Sequence, residues 1–279
     1  MMGYISLSTY MLPLSIVICI ALLPNATSST CVTGCTCNNQ SISCVDISIS
    51  VIQLSTTDKT KTNMWIRNSN LELLPPYSFL RYPNLQILTI IHNDVEYLSN
   101  RTFSGLSNLT TLNLRANKVE RIRNEHFIGI PNLRELFVDD NSIDSMDENP
   151  FLWIPNLINL NLASNAIEEI CNKTFYGLRG LLILNLAANK IKTICNGSFQ
   201  NLQYLTNLTL EINSLVEVHR GMFSGLSNLK QLSLSRNSIT YIEDGTFDDL
   251  ANLISLSLNN NPITSIRLGI IAGLTQLVY

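Results

Sequence analysis

Leucine recurs every 24 residues without an insertion, at Leu85, Leu109, Leu133, Leu157, Leu181, Leu205, Leu229, Leu253 and Leu277. With each of these as position 1, position 9 reads Asn93, Asn117, Asn141, Asn165, Asn189, Asn213, Asn237 and Asn261. Position 19 reads Phe103, Phe127, Phe151, Phe175, Phe199, Phe223 and Phe247, then Ile271. An imperfect unit precedes them in register, with Met64, Ile66, Leu71, Leu74 and Phe79 at positions 4, 6, 11, 14 and 19, and Ser69 in place of the asparagine. One imperfect unit, eight full ones and the first three residues of another fill residues 61–279. A fixed period of this length specifies a chain of stacked coils. One unit cannot bury its own apolar face, so stability comes from its neighbours.

The columns show how a coil is built. Leu112 and Leu114 stand two apart and point to one side of a short strand. Strands that recur in the same direction stack as a parallel sheet. An asparagine amide both donates and accepts, so position 9 is expected to satisfy turn groups of its own coil and the next. Positions 11, 14, 19 and 22 complete the core, as Ile143, Met146, Phe151 and Ile154 do in one unit. The return limb has no helical stripe and is expected to be extended or 3₁₀. The sheet side is the narrower one, because strands pack about 4.8 Å apart. The stack therefore bends with its strands inside.

Composition agrees with a folded, uncharged stack. The chain has 44 Leu and 33 Asn, and 14% charged residues against an average of about 25%. The net charge of −3 supplies no basic field, so a nucleic-acid partner is not expected. No acidic or basic residue precedes Asp46, and an apolar run of 12 residues spans Leu12–Leu23. Such a run fits the core of an export signal over residues 1–28 and is too short to cross a bilayer. No other segment reaches about 18 consecutive apolar residues, so no membrane span is expected in this chain.

Cys31, Cys35, Cys37 and Cys44 cluster directly after that segment. A zinc site is disfavoured, because an exported chain meets an oxidising compartment and no histidine lies within forty residues. Four cysteines allow three pairings, and spacing does not choose among them. Cys171 and Cys195 are one period apart.

The pattern L-x-x-L-x-L-x-x-N-x-[IVL]-x-x-[IVLM]-x-x-x-x-F-x-x-L-x-N resembles the extracellular, typical class of leucine-rich repeat proteins. These include Toll-like receptors, variable lymphocyte receptors, Slit-like proteins, matrix proteoglycans and glycoprotein-hormone receptors. The resemblance implies a curved horseshoe solenoid, with a parallel sheet on the concave face and irregular or 3₁₀ turns on the convex face. It also implies that residues 29–60 form a cysteine-rich N-terminal cap, paired Cys31–Cys37 and Cys35–Cys44, although Val32 stands where the family usually has proline. The chain ends at Tyr279 inside the first strand of a new unit, so the family's C-terminal cap is expected to be missing. Leu256, Leu258, Ile263 and Ile266 are then expected at an uncovered end, which predicts poor solubility.

Nothing in the sequence invites an enzymatic reading. His92, His126 and His219 fall at different positions of separate units and are read as solvated turn residues. Ser107 and Ser227 lack the strand–turn–helix setting of a nucleophile. No cofactor or metal is expected. The expected function is binding a protein ligand on the concave face; the alternatives are a matrix protein of the proteoglycan type or the start of a receptor ectodomain. Positions 3, 5, 7 and 8 are expected to face that ligand. The richest group is Trp65, Arg115, Glu135, Phe137, Asp139 and Asp140: an aromatic anchor beside charges has the composition of a hot spot, and the carboxylates predict a ligand with a basic segment. N-linked glycosylation is expected at Asn39, Asn100, Asn108, Asn172, Asn196 and Asn207, and Asn25 leaves with the signal. Location outside the cell or on the outer face of the plasma membrane follows from the same features, and the oligomeric state is left open.

Cys171 and Cys195 both occupy position 15 of adjacent coils. Their Cα atoms should lie about 5–6 Å apart, within bridging range. A disulfide is expected there, with a stabilisation of at most about 3 kcal/mol. The native, unreduced protein should not react at either position with a thiol reagent; labelling would exclude the bridge.

Overall fold

The computed structural model describes residues 31–55, 57–171 and 173–278. The export-signal expectation, Asn25 and the Asn172 sequon lie outside the described residues.

The hydrophobic columns fold as one solenoid. An antiparallel hairpin, Cys35–Cys37 with Ser41–Val45, opens an eleven-stranded sheet, and every later neighbour is parallel. The strands Asn63–Arg67 and Ile87–Ile91 have five residues each; the seven from Thr111–Asn113 to Ser255–Ser257 have three. The register is fixed by the repeat: Leu160 lies between Leu136 and Leu184, position 4 on position 4. On the return limb, two-residue parallel strands pair two by two, such as Leu73–Leu74 with Tyr97–Leu98 and Glu169–Ile170 with Thr193–Ile194. Among the described residues helix is confined to short segments, among them Ile49–Leu54 and the 3₁₀ segment Asn124–Phe127.

Each coil closes around the same core columns. In one coil these are Leu157, Leu160, Leu162, Ile167, Ile170, Phe175 and Leu178, all buried. The phenylalanines stack along the solenoid. Rings from Phe127 through Phe247 follow one another at 5.8–6.4 Å between centroids. Leu256, Leu258 and Ile263 in the last full coil are partly buried, and Ile266 is exposed.

The asparagine column differs in direction from the sequence expectation. Asn165 Oδ1 accepts from the Ile143 N–H at 2.9 Å, and Nδ2 donates to Val138 O in the same preceding coil at 3.0 Å. The same amide also reaches Leu162 O and Ala163 O of its own turn, both at 3.1 Å. Each asparagine thus ties its coil to the one before it, not the one after. A second column does lighter work of the same kind: Asn132, Asn156, Asn228 and Asn252, at position 24, donate to a carbonyl of the preceding coil at 2.7–3.0 Å.

Three disulfides complete the frame: Cys31–Cys37, Cys35–Cys44 and Cys171–Cys195, the last with its Cα atoms 4.8 Å apart on adjacent coils. Lys61 replaces the usual leucine at position 1 of the first coil and is buried. Its Nζ donates to Asn38 O at 2.7 Å and lies 3.5 Å from Asp58, which ties the coil to the cysteine hairpin.

Removing one ladder amide leaves buried backbone groups in two coils without partners, each costing about 1–3 kcal/mol. Asn165→Ala should therefore lower the unfolding free energy by about 3 kcal/mol or more in urea denaturation. Asn252→Ala, at an exposed ladder position, should cost about 1 kcal/mol. Equal losses would show that burial does not govern the ladder's contribution.

Candidate ligand-binding surface

On each strand the residues at positions 4 and 6 point into the core, and those at 3 and 5 point out of the sheet. Trp65, Thr89, Asn113 and Phe137 follow one another at position 5 on four successive strands. Trp65 and Phe137 therefore stand three coils apart, about 14 Å at the spacing of parallel strands. Trp65 does not join the cluster around Phe137.

Arg115, Glu135, Phe137, Asp139 and Asp140 do come together. Arg115 Nε lies 2.9 Å from Asp140 Oδ2 and 3.2 Å from Asp139 Oδ2. Glu135 Oε2 accepts from Thr111 Oγ1 at 3.0 Å. Three carboxylates against one guanidinium leave an excess of negative charge on this patch. Asp139 is only 8% exposed, and its Oδ1 meets no partner from another residue. Burial pushes its carboxyl pKa up, against the opposing pull of its own backbone N–H and of Arg115.

Two expectations for this face need correction. Position 8 does not extend the strand. Ala116, Asp140, Ser164, Ala188, Ile212 and Arg236 all have φ of 53–56°, so position 8 turns the chain away in the left-handed region. Nor are the position-5 asparagines free for a ligand. Asn113, Asn161 and Asn185 Oδ1 accept the N–H of position 7, at 2.9–3.1 Å. The recurring Leu-Asn-Leu of these three coils is the sequence signal for that role. Phe137 offers no acceptor at the same place.

The histidines are also not alike. His92 and His219 are exposed, with His219 between Glu217 at 3.1 Å and Glu243 at 3.7 Å. His126, in contrast, is only 3% exposed, which overturns its reading as a solvated residue. It occupies position 18, where Ser78, Thr102, Thr174, Ser198 and Thr246 stand in other coils. Their hydroxyls donate back to the carbonyl three residues earlier. His126 serves the same turn in reverse: its Nδ1 accepts the Arg123 N–H at 3.2 Å. A histidine in register with hydroxyl residues was the available signal.

This hydroxyl column also bears on the sequons. Thr102 and Ser198 complete the sequons of Asn100 and Asn196 yet are buried and bonded both within the turn and to the preceding coil, so position 16 acquires sequons partly from packing needs. Asn39, Asn100, Asn108 and Asn196 are exposed. Asn207 lies on the strand face.

The return limb holds a cleft of about 750 Å³ whose wall includes Asp144, Glu168, Glu169, Lys190 and Lys192. Three carboxylates there face two ammonium groups, and Lys192 is already paired with Glu168 at 2.9 Å. Among the described residues, no group of three or more His, Cys, Asp or Glu side chains could hold a metal ion. Among the same residues, no helix is long and apolar enough to cross a membrane.

The leucine rich repeat family model matches residues 62–119, 83–143, 107–157, 155–211 and 203–263. No curated protein matches the chain in sequence. Solved structures do match. One is the complex of TLR13 with single-stranded RNA, at 26% identity and TM-score 0.62 over 82% of this chain and 40% of that one. A leucine-rich repeat protein of Leptospira interrogans matches at 26% identity and TM-score 0.71, over 85% and 59%. The leucine-rich repeat domain of APL1B, at 21% identity and TM-score 0.61 over 78% and 60%, shares the fold. The chain thus spans between two-fifths and three-fifths of the length of these structures.

The buried imidazole of His126 sets a pH response. Burial first, and the nearby Arg123 second, lower its pKa from 6.5 to about 4. Below pH 6.5 the unfolded chain takes a proton that the folded chain refuses, so stability falls as pH drops and levels off below about 4. At about 1.4 kcal/mol per unit, the whole window amounts to roughly 3 kcal/mol. His126→Thr restores the residue type of the neighbouring coils. Urea denaturation at pH 7, 5.5 and 4 should show a steeper acid loss for the parent than for this variant. Parallel losses would mean that His126 is protonated in the folded state.

Proposed function

Since the chain belongs to the leucine-rich repeat family, whose solenoids typically serve as protein-binding modules, we propose that it is an extracellular recognition protein. It binds a protein ligand on the strand face of its N-terminal coils. Residues 1–28 are its export signal, 29–60 the cysteine-rich cap, and 61–279 the repeats. It works outside the cell, secreted or on the outer face of the plasma membrane. The three disulfides of the described residues and the cap hairpin support that location.

One observation carries the choice of surface: Phe137 is partly exposed on the sheet among Glu135, Asp139 and Asp140. An aromatic residue on a rigid strand loses little entropy on binding, and the charges around it fix orientation. The excess of carboxylates selects a basic ligand segment. The single-stranded RNA of the TLR13 complex belongs to that protein. On this patch a phosphate backbone would meet like charge.

The test is a binding measurement by surface plasmon resonance against a panel of basic secreted proteins. Affinity for the ligand should fall with added salt. Phe137→Ala and Asp139→Ala should each weaken it by about 30-fold, the scale of a hot-spot residue. Ser233→Ala and Ser257→Ala should leave it unchanged. The reverse pattern would move the site to the C-terminal coils.

A further inference from the structure

We propose that Asn207 carries an N-linked glycan that roofs the C-terminal half of the strand face and so bounds the ligand footprint to the coils before it. This rests on the extracellular reading above, because the modification requires passage through a secretory compartment.

The strand Asn207–Thr209 holds the whole sequon, Asn207-Leu208-Thr209. Leu208 is buried, and Asn207 and Thr209 on either side of it point out of the sheet. Of the sequon asparagines in the described residues, Asn207 alone lies on a strand. Its amide has a hydrogen to spare. Nδ2 donates to Gln231 Oε1 at 2.6 Å, which needs one of its two hydrogens. The ladder asparagines differ: Asn213 Nδ2 is held by Leu186 O, Leu210 O and Glu211 O. Transfer from a lipid-linked oligosaccharide pyrophosphate forms the bond from Asn207 Nδ2 to the sugar C1. It breaks the C1–phosphate bond, releases one Nδ2 proton, and leaves the hydrogen bond to Gln231 available.

The surroundings have room for a sugar and a surface to hold it. Ala187 on one side and Ser233 on the other keep the floor low beside Gln231 and the Glu211–Arg236 pair; the N-terminal half carries Trp65, Arg115 and Phe137. Ile183 pairs directly with Asn207 across the sheet. Ile183 is 41% accessible, an apolar surface that the C–H face of the first sugar would cover. Asn207 stands three coils from Phe137, about 14 Å away. A branched glycan there limits how far a ligand seated on Phe137 extends toward the C-terminal coils.

The chain is secreted from a eukaryotic host and mapped by peptide mass after enzymatic deglycosylation in heavy-oxygen water. Asn207 should appear as labelled aspartate. In parallel, Ser233→Cys is reacted with a large maleimide before and after deglycosylation of the folded protein, and again in the Asn207→Gln background. Labelling should be several-fold slower with the glycan present, whereas Thr111→Cys on the open half should not change. Occupied Asn100 or Asn196 with bare Asn207 overturns the inference and leaves the extracellular reading standing. No occupied sequon at all overturns both. An occupied Asn207 with unchanged Ser233→Cys labelling overturns the roof.

Discussion

The fold depends on a buried amide that has to be satisfied in two coils at once. Six of the eight position-9 asparagines, all but Asn141 and Asn261, are about nine-tenths buried, and an unsatisfied amide there would cost several kcal/mol. Asn189 shows the full arrangement: Oδ1 accepts from Ile167 N–H, and Nδ2 reaches Leu162 O, Leu186 O and Ala187 O. Its partners lie 2, 3, 22 and 27 residues away. An insertion anywhere in the return limb would shift the far partners without moving the near ones. The ladder therefore explains why eight consecutive units keep a length of 24, which leucine packing alone would not require.

The same ladder restricts recognition. Positions 1, 4, 6, 11, 14, 19 and 22 are committed to the core, position 9 to the ladder, position 18 to a turn, and position 8 to a left-handed backbone. In three coils position 5 is committed as well, to the N–H of position 7. On the strand face this leaves positions 3 and 7, and position 5 in the other coils, to meet a partner, which makes the exceptions informative. Phe137 stands where Asn113, Asn161 and Asn185 supply an acceptor, and there the coil carries a partly exposed ring instead. Arg115 clasps Asp139 and Asp140 beside that ring from the coil before.

Much of this was legible in the sequence because periodicity reports burial directly. The columns Leu85–Leu277, Asn93–Asn261 and Phe103–Phe247 named the core, and Leu112 with Leu114 named the strands. What was not legible depended on relations between coils. Whether Asn165 reaches forward or back is a matter of twist, not of spacing. The clasp of Arg115 on Asp139 and Asp140 needs the positions of three side chains in space. His126 could have been read correctly: its column elsewhere is Ser, Thr, Pro, Met or Ile, none of them a residue a solvated turn requires. The signal there lay in comparing a residue with its register-mates, not with its immediate neighbours.

The Asp139 carboxylate runs against stability. Burial disfavours its charge, and Arg115, more than half exposed, returns only the modest attraction of a surface pair. The coil of Asn161 and Ala163 solves the same backbone problem with a neutral acceptor and a small residue, and carries no buried charge. A chain shaped by folding alone would be expected to use that solution at Phe137 and Asp139 too. Among the strand-face residues, the combination of an aromatic ring at position 5 with a buried carboxylate at position 7 occurs in this coil, where Arg115 holds the carboxylate from the coil before. A destabilised charge at a fixed position is what a binding surface needs if the partner's cation is to supply the missing compensation.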